Sequence, residues 1–183
     1  MTTVFTIGHS TRPIDELVGM LVAHGVTTLA DVRTIAGSRH NPQYMEAALD
    51  ASLPQRGIRY LRLAELGGLR HTTKDSLNGG WRNASFRGYA DYMQSAEFAG
   101  GIDHLLAIAG REPTAIMCAE AVPWRCHRSL IGDALLVRGV EVQDILSATS
   151  TRPHTLIRFA HVEGTTITYP PEGDEAQPTL PGL

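Results

Sequence analysis

Six side chains that could bind a ligand or take part in catalysis fall within the eleven residues from Cys118 to Arg128. They are two thiols, a carboxylate, an imidazole and two guanidinium groups: Cys118, Glu120, Arg125, Cys126, His127 and Arg128. A cysteine thiolate is a nucleophile, histidine exchanges protons near neutral pH, and arginine stabilises negative charge. We therefore predict a catalytic site in which Cys118 or Cys126 supplies the thiol, His127 acts as acid or base, and Glu120 orients the ligand.

The pattern around this segment places it where a buried strand ends and a helix begins. Residues 114–118 are almost entirely apolar, which predicts a strand, and Pro123 suits the first turn of a helix that we expect to reach Arg138. His127 precedes the apolar positions of that helix by helical spacings, so it should point towards the strand ends. The helix N-terminus and the nearby arginines would favour the thiolate form of Cys118, with His127 as its base or hydrogen-bond partner.

The same residues have structural and metal-binding interpretations. A single cysteine or histidine in such a position is more often part of the core, and only the concentration of reactive groups reverses that preference. Zinc held by Cys118, Cys126 and His127 with Glu120 or His9 is the minority alternative, because the spacing matches no standard zinc pattern. We expect no metal or other cofactor. A disulfide between the two cysteines is expected only as a redox event.

Polar side chains also follow three other predicted strands, at residues 4–8, 27–32 and 58–63. They are His9, Ser10 and Arg12 after the first strand, Asp31 and Arg33 at the end of the second, and Glu65, Gly67 and Gly68 after the third. Ligands bind beyond the carboxyl ends of parallel strands, so these groups should share one crevice with the cysteines. We expect all of these residues except Glu65 to bind the ligand, and Arg128 to bind it as well. Asp31 would orient the ligand, and Arg33 and Arg128 would contact an anionic group of the ligand.

Strands and helices alternate along most of the chain, with short connections. This pattern predicts an α/β fold, in which a mostly parallel twisted sheet of about five strands carries helices on both faces. Residues 155–162 and 165–169 should add a C-terminal β-hairpin. The irregular segment 64–85 is long enough to cover or line a site. A helix from residue 86 to about residue 110 is expected to be interrupted at Gly100–Gly101.

The composition indicates one cytoplasmic domain over residues 1–169, followed by a flexible tail over residues 170–183. Two cysteines in 183 residues do not make a disulfide framework. The N-terminus does not resemble a signal peptide, and no apolar run approaches the ~20 residues of a membrane span. A net charge of −3 disfavours tight non-specific binding to nucleic acid.

Five motifs, in order along the chain, resemble one known family. They are Thr6–Arg12 (TIGHSTR), Asp31–Arg33 (DVR), Leu66–Gly68 (LGG), Phe86–Ala90 (FRGYA) and the CAE…CHR segment from Cys118 to Arg128. Over residues 4 to about 147 the sequence resembles the bacterial family catalogued as domain of unknown function 488. The resemblance implies an α/β protein of bacterial or archaeal type, and the family name supplies no reaction. It places motif residues at His9, Ser10, Arg12, Asp31, Arg33, Glu120, Cys126, His127 and Arg128.

Three functions remain open from the sequence. The leading hypothesis is a cysteine- and histidine-dependent enzyme that binds or acts on a nucleotide-like or other small phosphorylated ligand. The second is a non-catalytic module that senses modified nucleotides or nucleic-acid ends. The third is a rhodanese-like sulfurtransferase; Glu120 and the lack of glycine within residues 119–127 disfavour its anion-binding loop, since Glu120 better suits amino or hydroxyl groups.

Overall fold

A six-stranded sheet with five parallel strands forms the centre of the protein in a computed structural model, which describes residues 1–172. The strands are β1 (Thr3–Gly8), β2 (Thr28–Asp31), β3 (Arg59–Arg62), β4 (Thr114–Cys118), β5 (Glu141–Ser147) and β6 (Ser150–Pro153). Their order is β3-β2-β4-β1-β5-β6, and only β6 is antiparallel to its neighbour. The predicted α/β fold is confirmed. The edge strand β6 was not predicted, because its exposed, polar sequence lacks the apolar pattern of a buried strand.

Five helices cover the two faces of this sheet. They are α1 (Ile14–Ala23), α2 (Glu46–Ser52), α3 (Ala84–Tyr92), α4 (Ala96–Ala109) and α5 (Arg128–Leu136). Leucines of α1 and α2 pack in one apolar cluster with β2 and β4, whereas α3, α4 and α5 pack in a second cluster against the opposite face. Helices on both faces leave the carboxyl ends of the central strands open to loops, where the predicted site lies.

The helical interruption predicted at Gly100–Gly101 lies elsewhere. The chain breaks between α3 and α4, where the Ser95 side chain accepts a hydrogen bond from the Phe98 backbone N–H and begins α4. The glycine pair lies inside α4, and a Cβ atom on Gly101 would come within 2.8 Å of Leu66 and Glu65 side chains. Gly101 therefore serves close packing, and the new helix begins at the Ser95 cap rather than at the glycine pair.

The helix predicted from Pro123 to Arg138 is also shorter than expected. Residues Pro123–Arg125 form a 3-10 turn, Cys126 is extended with φ −132° and ψ 146°, and α5 begins only at Arg128. The extended Cys126 breaks the helical geometry, so the continuous helix predicted over this segment is wrong, although His127 still points towards the strand ends as predicted. This break brings both residues to the end of the sheet.

A buried polar network attaches the C-terminal part to the sheet. The predicted hairpin is present as β7 (His161–Glu163) and β8 (Thr166–Thr168). The His154 side chain lies 2.8 Å from a carboxylate oxygen of Asp133 and 3.9 Å from one of Asp144. Tyr169 donates its hydroxyl hydrogen to Asp133. Burial by itself lowers the pKa of His154, but the hydrogen bond to Asp133 and the negative charges of Asp133 and Asp144 outweigh this effect and raise the pKa to about 9.

Most of the tail predicted over residues 170–183 lies outside the described residues. Within residues 1–172, no helix is both long enough and apolar enough to cross a membrane.

Candidate functional site

A cavity of about 760 Å³ opens at the carboxyl ends of β1, β2 and β4. Eight of the twelve residues predicted to form the site line this cavity: His9, Ser10, Arg33, Gly68, Cys118, Glu120, Cys126 and His127. Asp31 and Arg128 lie behind the wall and contact lining side chains, while Arg12 and Gly67 also lie outside the lining. The volume falls in the range of pockets for small organic ligands.

Backbone hydrogen bonds continue past the strand ends and hold the loops of β1 and β4 together. The N–H groups of His9 and Ser10 donate to the carbonyls of Cys118 and Ala119, both at 2.9 Å. Ser10 adopts a left-handed backbone conformation with φ 48°, which residues other than glycine seldom occupy. Gly8 has no room for a side chain, because a Cβ atom would lie 1.9 Å from the Glu120 carbonyl oxygen. The strained serine and the close glycine fix the loop after Cys118 over the end of β1.

Arg128 is a buried cation whose closest ionisable partner is a cysteine. Its side chain is 1% exposed, and Nη1 donates to Cys118 Sγ at 2.8 Å and to the Glu120 carbonyl at 2.7 Å. Nη2 donates to the Ala121 carbonyl, and Nε is buried without a hydrogen-bond partner. Within the described part of the chain, Arg128 forms no salt bridge with a carboxylate.

The charge of Arg128 is therefore poorly compensated by its surroundings. Burial lowers the pKa of Arg128 to about 10, although the more distant Asp144 and Glu120 oppose this shift. The guanidinium remains protonated at neutral pH, so a negative charge on the adjacent Cys118 sulfur would be strongly favoured. The sequence had assigned Arg128 to a ligand anion; the structure instead places it beneath the cavity floor, against Cys118.

Cys126 lies beside Cys118 at the floor of the cavity. The two Sγ atoms are in direct contact. Their Cα atoms are 7.5 Å apart, beyond the ~4.4–6.8 Å usual for disulfide-linked residues, so an unstrained disulfide between the two sulfur atoms requires the backbone at one of the cysteines to move closer. Cys118 is 2% exposed and Cys126 is 7% exposed, and both border the cavity. The sequence suggested that the two cysteines could meet only in a redox disulfide or a zinc site, and their contact here depends on the extended conformation of Cys126.

His127 contacts Cys126 rather than Cys118. Its Nε2 lies 2.9 Å from the Val32 carbonyl oxygen. A carbonyl oxygen can only accept a hydrogen bond, so Nε2 carries the ring hydrogen. Nδ1 is therefore the unprotonated nitrogen of the neutral ring, and it lies 3.6 Å from Cys126 Sγ. Burial lowers the pKa of His127 to about 4, with the hydrogen bond to Val32 opposing the shift and Arg128 adding to it. The imidazole is thus neutral at physiological pH and accepts the Cys126 thiol hydrogen.

Gly68 makes the position of His127 sterically feasible. A Cβ atom at this position would lie 2.5 Å from His127 Nδ1. The long segment 64–85 carries Gly68 to the ring and supplies further lining residues. Asp91 holds this segment by accepting hydrogen bonds from Ser76 and Asn78 side chains.

Asp31, Arg33 and His9 form a second buried group beside the thiols. Arg33 donates from Nε and Nη2 to the two oxygens of Asp31, at 2.9 and 2.7 Å. Tyr60 also donates to Asp31, and Arg33 Nη1 lies 3.3 Å from His9 Nε2. Burial lowers the pKa of His9, with Ser10 opposing the shift and Arg33 adding to it. Because the Arg33 charge is paired with Asp31, this side of the cavity is close to neutral.

Residues not predicted from the sequence supply most of the remaining wall. Neutral hydrogen-bonding side chains are contributed by Thr11, Thr34, Ser38, Asn41, Asn83 and Ser85, and apolar side chains by Ile35, Leu69 and Phe86. Only Glu120 and Arg125 add exposed charged groups. Ser85 and Phe86 lie at the start of α3, and the other uncharged lining residues lie in loops whose composition is ordinary for solvent-exposed turns, so little in the local pattern distinguished them.

The described residues contain no group of three or more His, Cys, Asp or Glu side chains arranged to hold a metal ion.

A model of the protein family described as Domain of unknown function DUF488 matches residues 13–135. The matched segment contains Asp31, Arg33 and both cysteines, and it begins just after the Thr6–Arg12 motif. Comparisons with curated proteins and with solved structures find no match.

Proposed function

Because the chain belongs to the family described as Domain of unknown function DUF488, whose name supplies no reaction, we propose a function from the site itself. The protein is a cysteine-dependent enzyme in which Cys118 is the nucleophile and the substrate is a nucleotide-like small molecule. The observation that carries this proposal is the buried Arg128 guanidinium, which donates to Cys118 Sγ and forms no salt bridge among residues 1–172.

The thiolate form of Cys118 follows from the cost of burying charge. An unpaired cation within a protein is strongly unfavourable, and a neighbouring anion removes much of that penalty. Cys118 is the ionisable group in hydrogen-bond contact with Arg128, so ionising its thiol stabilises both charges. The carbonyls of Glu120 and Ala121 complete the solvation of the guanidinium. A thiolate at the floor of an open cavity is available to a bound electrophile.

Alkylation kinetics test this assignment. Between pH 8.5 and pH 7, the iodoacetamide reaction of Cys118 should slow less than about threefold, whereas a thiol with the ordinary pKa of about 8.5 slows about sixteenfold. The modified residue is located by mass spectrometry in the native chain, Cys118→Ser and Cys126→Ser. The fast reaction should persist in Cys126→Ser and disappear in Cys118→Ser. Fast reaction at Cys126, or ordinary reactivity at both cysteines, would refute the assignment.

The wall of the cavity favours a mostly uncharged ligand. Seven serine, threonine and asparagine side chains suit the hydroxyl and amino groups of a nucleoside, and Ile35, Leu69 and Phe86 suit a flat ring. The exposed Arg125 could bind one phosphate group of a ligand, while the negative charge of Glu120 would repel a ligand with several phosphate groups. We therefore propose a nucleoside or nucleoside monophosphate in preference to a triphosphate.

Thermal unfolding in the presence of nucleosides tests the ligand class. A nucleoside at about 100 times its Kd should raise the melting temperature by about 5–10 °C. Leu69→Asp at the cavity should abolish the increase, and Leu77→Asp should preserve it, because Leu77 is similarly exposed (65% against 67%) but does not line the cavity. An equal increase in the two variants would exclude binding in this cavity. A larger increase with ATP would contradict the preference for few charges.

The same experiments separate the two other functions that the sequence suggested. A sensing module would bind nucleosides while Cys118 reacts no faster than a free cysteine. A rhodanese-like sulfurtransferase would gain one sulfur atom on Cys118 from thiosulfate. Glu120 at the cavity would repel that dianion, which makes sulfur transfer the weaker proposal.

A further inference from the structure

We infer that Cys126 is a resolving thiol, which releases a ligand held on Cys118 by a disulfide bond and leaves a Cys118–Cys126 disulfide. This inference rests on the proposed nucleophilic role of Cys118. It narrows the proposed nucleotide-like substrate to an organic disulfide that carries such a group and whose departing group is a small thiol.

The first observation is the position of the two sulfur atoms. Cys118 and Cys126 are the two cysteines of the chain, and their Sγ atoms are in contact at the floor of one cavity. A substituent on Cys118 would project into the cavity, because the loop carbonyls and Arg128 occupy the other side of the sulfur. The sulfur of such an adduct would remain within reach of Cys126.

The second observation is the different surroundings of the two thiols. Cys118 contacts the Arg128 cation, whereas Cys126 contacts the unprotonated Nδ1 of a neutral imidazole, His127. Val32 fixes this tautomer by accepting the Nε2 hydrogen. The resting site therefore holds one thiolate and one hydrogen-bonded thiol. A two-thiol exchange needs this division, because the first sulfur attacks the substrate and the second acts afterwards.

The reaction can be written with all atoms balanced. The Cys118 thiolate attacks one sulfur of R–S–S–R′, forms Cys118–S–S–R and releases R′–S⁻. Cys126 then attacks Cys118 Sγ, its proton passing through His127 Nδ1 to the departing sulfur, which leaves as R–SH. The substrate disulfide is reduced to two thiols while the protein dithiol is oxidised to a disulfide. A small dithiol reductant restores the cysteines by the reverse exchange.

The cavity indicates a substrate larger than a peroxide. Its volume of about 760 Å³ and its wall of hydroxyl, amide and apolar side chains would contact an organic R group. Hydrogen peroxide would use none of these contacts. An aromatic disulfide is therefore a suitable probe, because its rings resemble the flat ring proposed for the ligand.

Dipyridyl disulfide, with release of thiopyridone followed by absorbance, provides the test. The native chain should release two equivalents and end without a pyridyl group, having lost two hydrogen atoms by intact mass. Cys126→Ser should release one equivalent quickly and retain the pyridyl group on Cys118. Cys118→Ser should lose the fast release.

The other possible outcomes of this test show which of the two proposals fails. If Cys118 reacts quickly but the native chain retains one or two pyridyl groups, Cys126 does not resolve the adduct and only this inference fails. If Cys118 in Cys126→Ser reacts no faster than a free cysteine, the proposed nucleophile itself fails. If hydrogen peroxide at equal concentration oxidises the native pair faster than dipyridyl disulfide does, the assigned substrate class is wrong.

Discussion

Replacing Arg128 with methionine is expected to slow alkylation of Cys118 at pH 7 by about thirtyfold, because the thiolate fraction should fall from nearly all to the few per cent of a free cysteine. Methionine keeps the unbranched, apolar shape of the arginine stem but removes the buried charge 2.8 Å from Cys118 Sγ. The rate of iodoacetamide modification is measured in Cys126→Ser, where Cys118 is the remaining thiol.

Two further variants make this result specific. Arg111→Met removes an exposed arginine from the turn after α4 and should leave the rate unchanged. Arg128→Lys retains a charge but not the planar fork that also reaches the Ala121 carbonyl, so an intermediate rate is expected. If Arg128→Met and Arg128→Lys both fold and react as quickly as the parent, the thiolate of Cys118 does not depend on this cation.

Raising the pH from 6.5 to 9 is expected to lower the free energy of unfolding by about 3 kcal/mol through His154, since each pKa unit corresponds to about 1.4 kcal/mol. The pKa of His154 is about 9 in the folded protein, against about 6.5 in an unfolded chain. Below pH 6.5 both states bind the proton and the stabilisation is complete. Between these values only the folded state holds it, so stability falls as the pH rises and the contribution is lost above pH 9.

Below about pH 6.5, the free energy of unfolding is expected to change with pH in the opposite direction. In the folded protein the pKa of His127 is about 4, and burial also lowers the pKa of His9. Unfolding lets both bind protons below about pH 6.5, so stability should fall as the pH is lowered. The loss of stability above and below this range together predicts that the protein is most stable near pH 6.5.

Denaturant titrations of His154→Gln at several pH values test whether His154 causes the expected loss of stability between pH 6.5 and pH 9. The variant leaves Asp133 and Asp144 buried without their cation, so its stability at pH 6.5 should drop by about 3 kcal/mol. Its stability should then change little between pH 6.5 and pH 9. His71→Gln, at an exposed position, should reproduce the parent profile. A parent profile that is flat or rising over this range would disprove the role of His154.

The site combines two buried charge groups with different consequences. Arg33 is paired with Asp31, so its charge is satisfied within the protein. Arg128 has no such carboxylate partner within residues 1–172, and its charge is directed at a sulfur atom. An arginine that is buried without a carboxylate is energetically unfavourable for the fold alone. This is the physical reason to assign the unusual environment of Cys118 to chemistry rather than to stability.

The amino-acid sequence by itself determined the class of fold and the end of the sheet where the reactive groups lie. Apolar runs such as residues 114–118 and the helical spacing in α1 are local properties, so they predict strands and helices without knowledge of the fold. Parallel strands align their carboxyl ends, which is why His9, Arg33 and Cys118 could be expected in one crevice. The predicted cavity position therefore followed from chain order and periodicity alone.

The tertiary structure alone decided which groups contact each other. The contact between Arg128 and Cys118 depends on a loop that wraps its carbonyls around the guanidinium. The pairing of Cys126 with His127 depends on one extended residue between a 3-10 turn and α5. The raised pKa of His154 requires Asp133 and Asp144 to come from other elements. The contacts of Arg128 and His154 join residues that are separated along the chain, and local sequence patterns do not reveal them, because hydrogen bonds and desolvation act over a few ångströms in space.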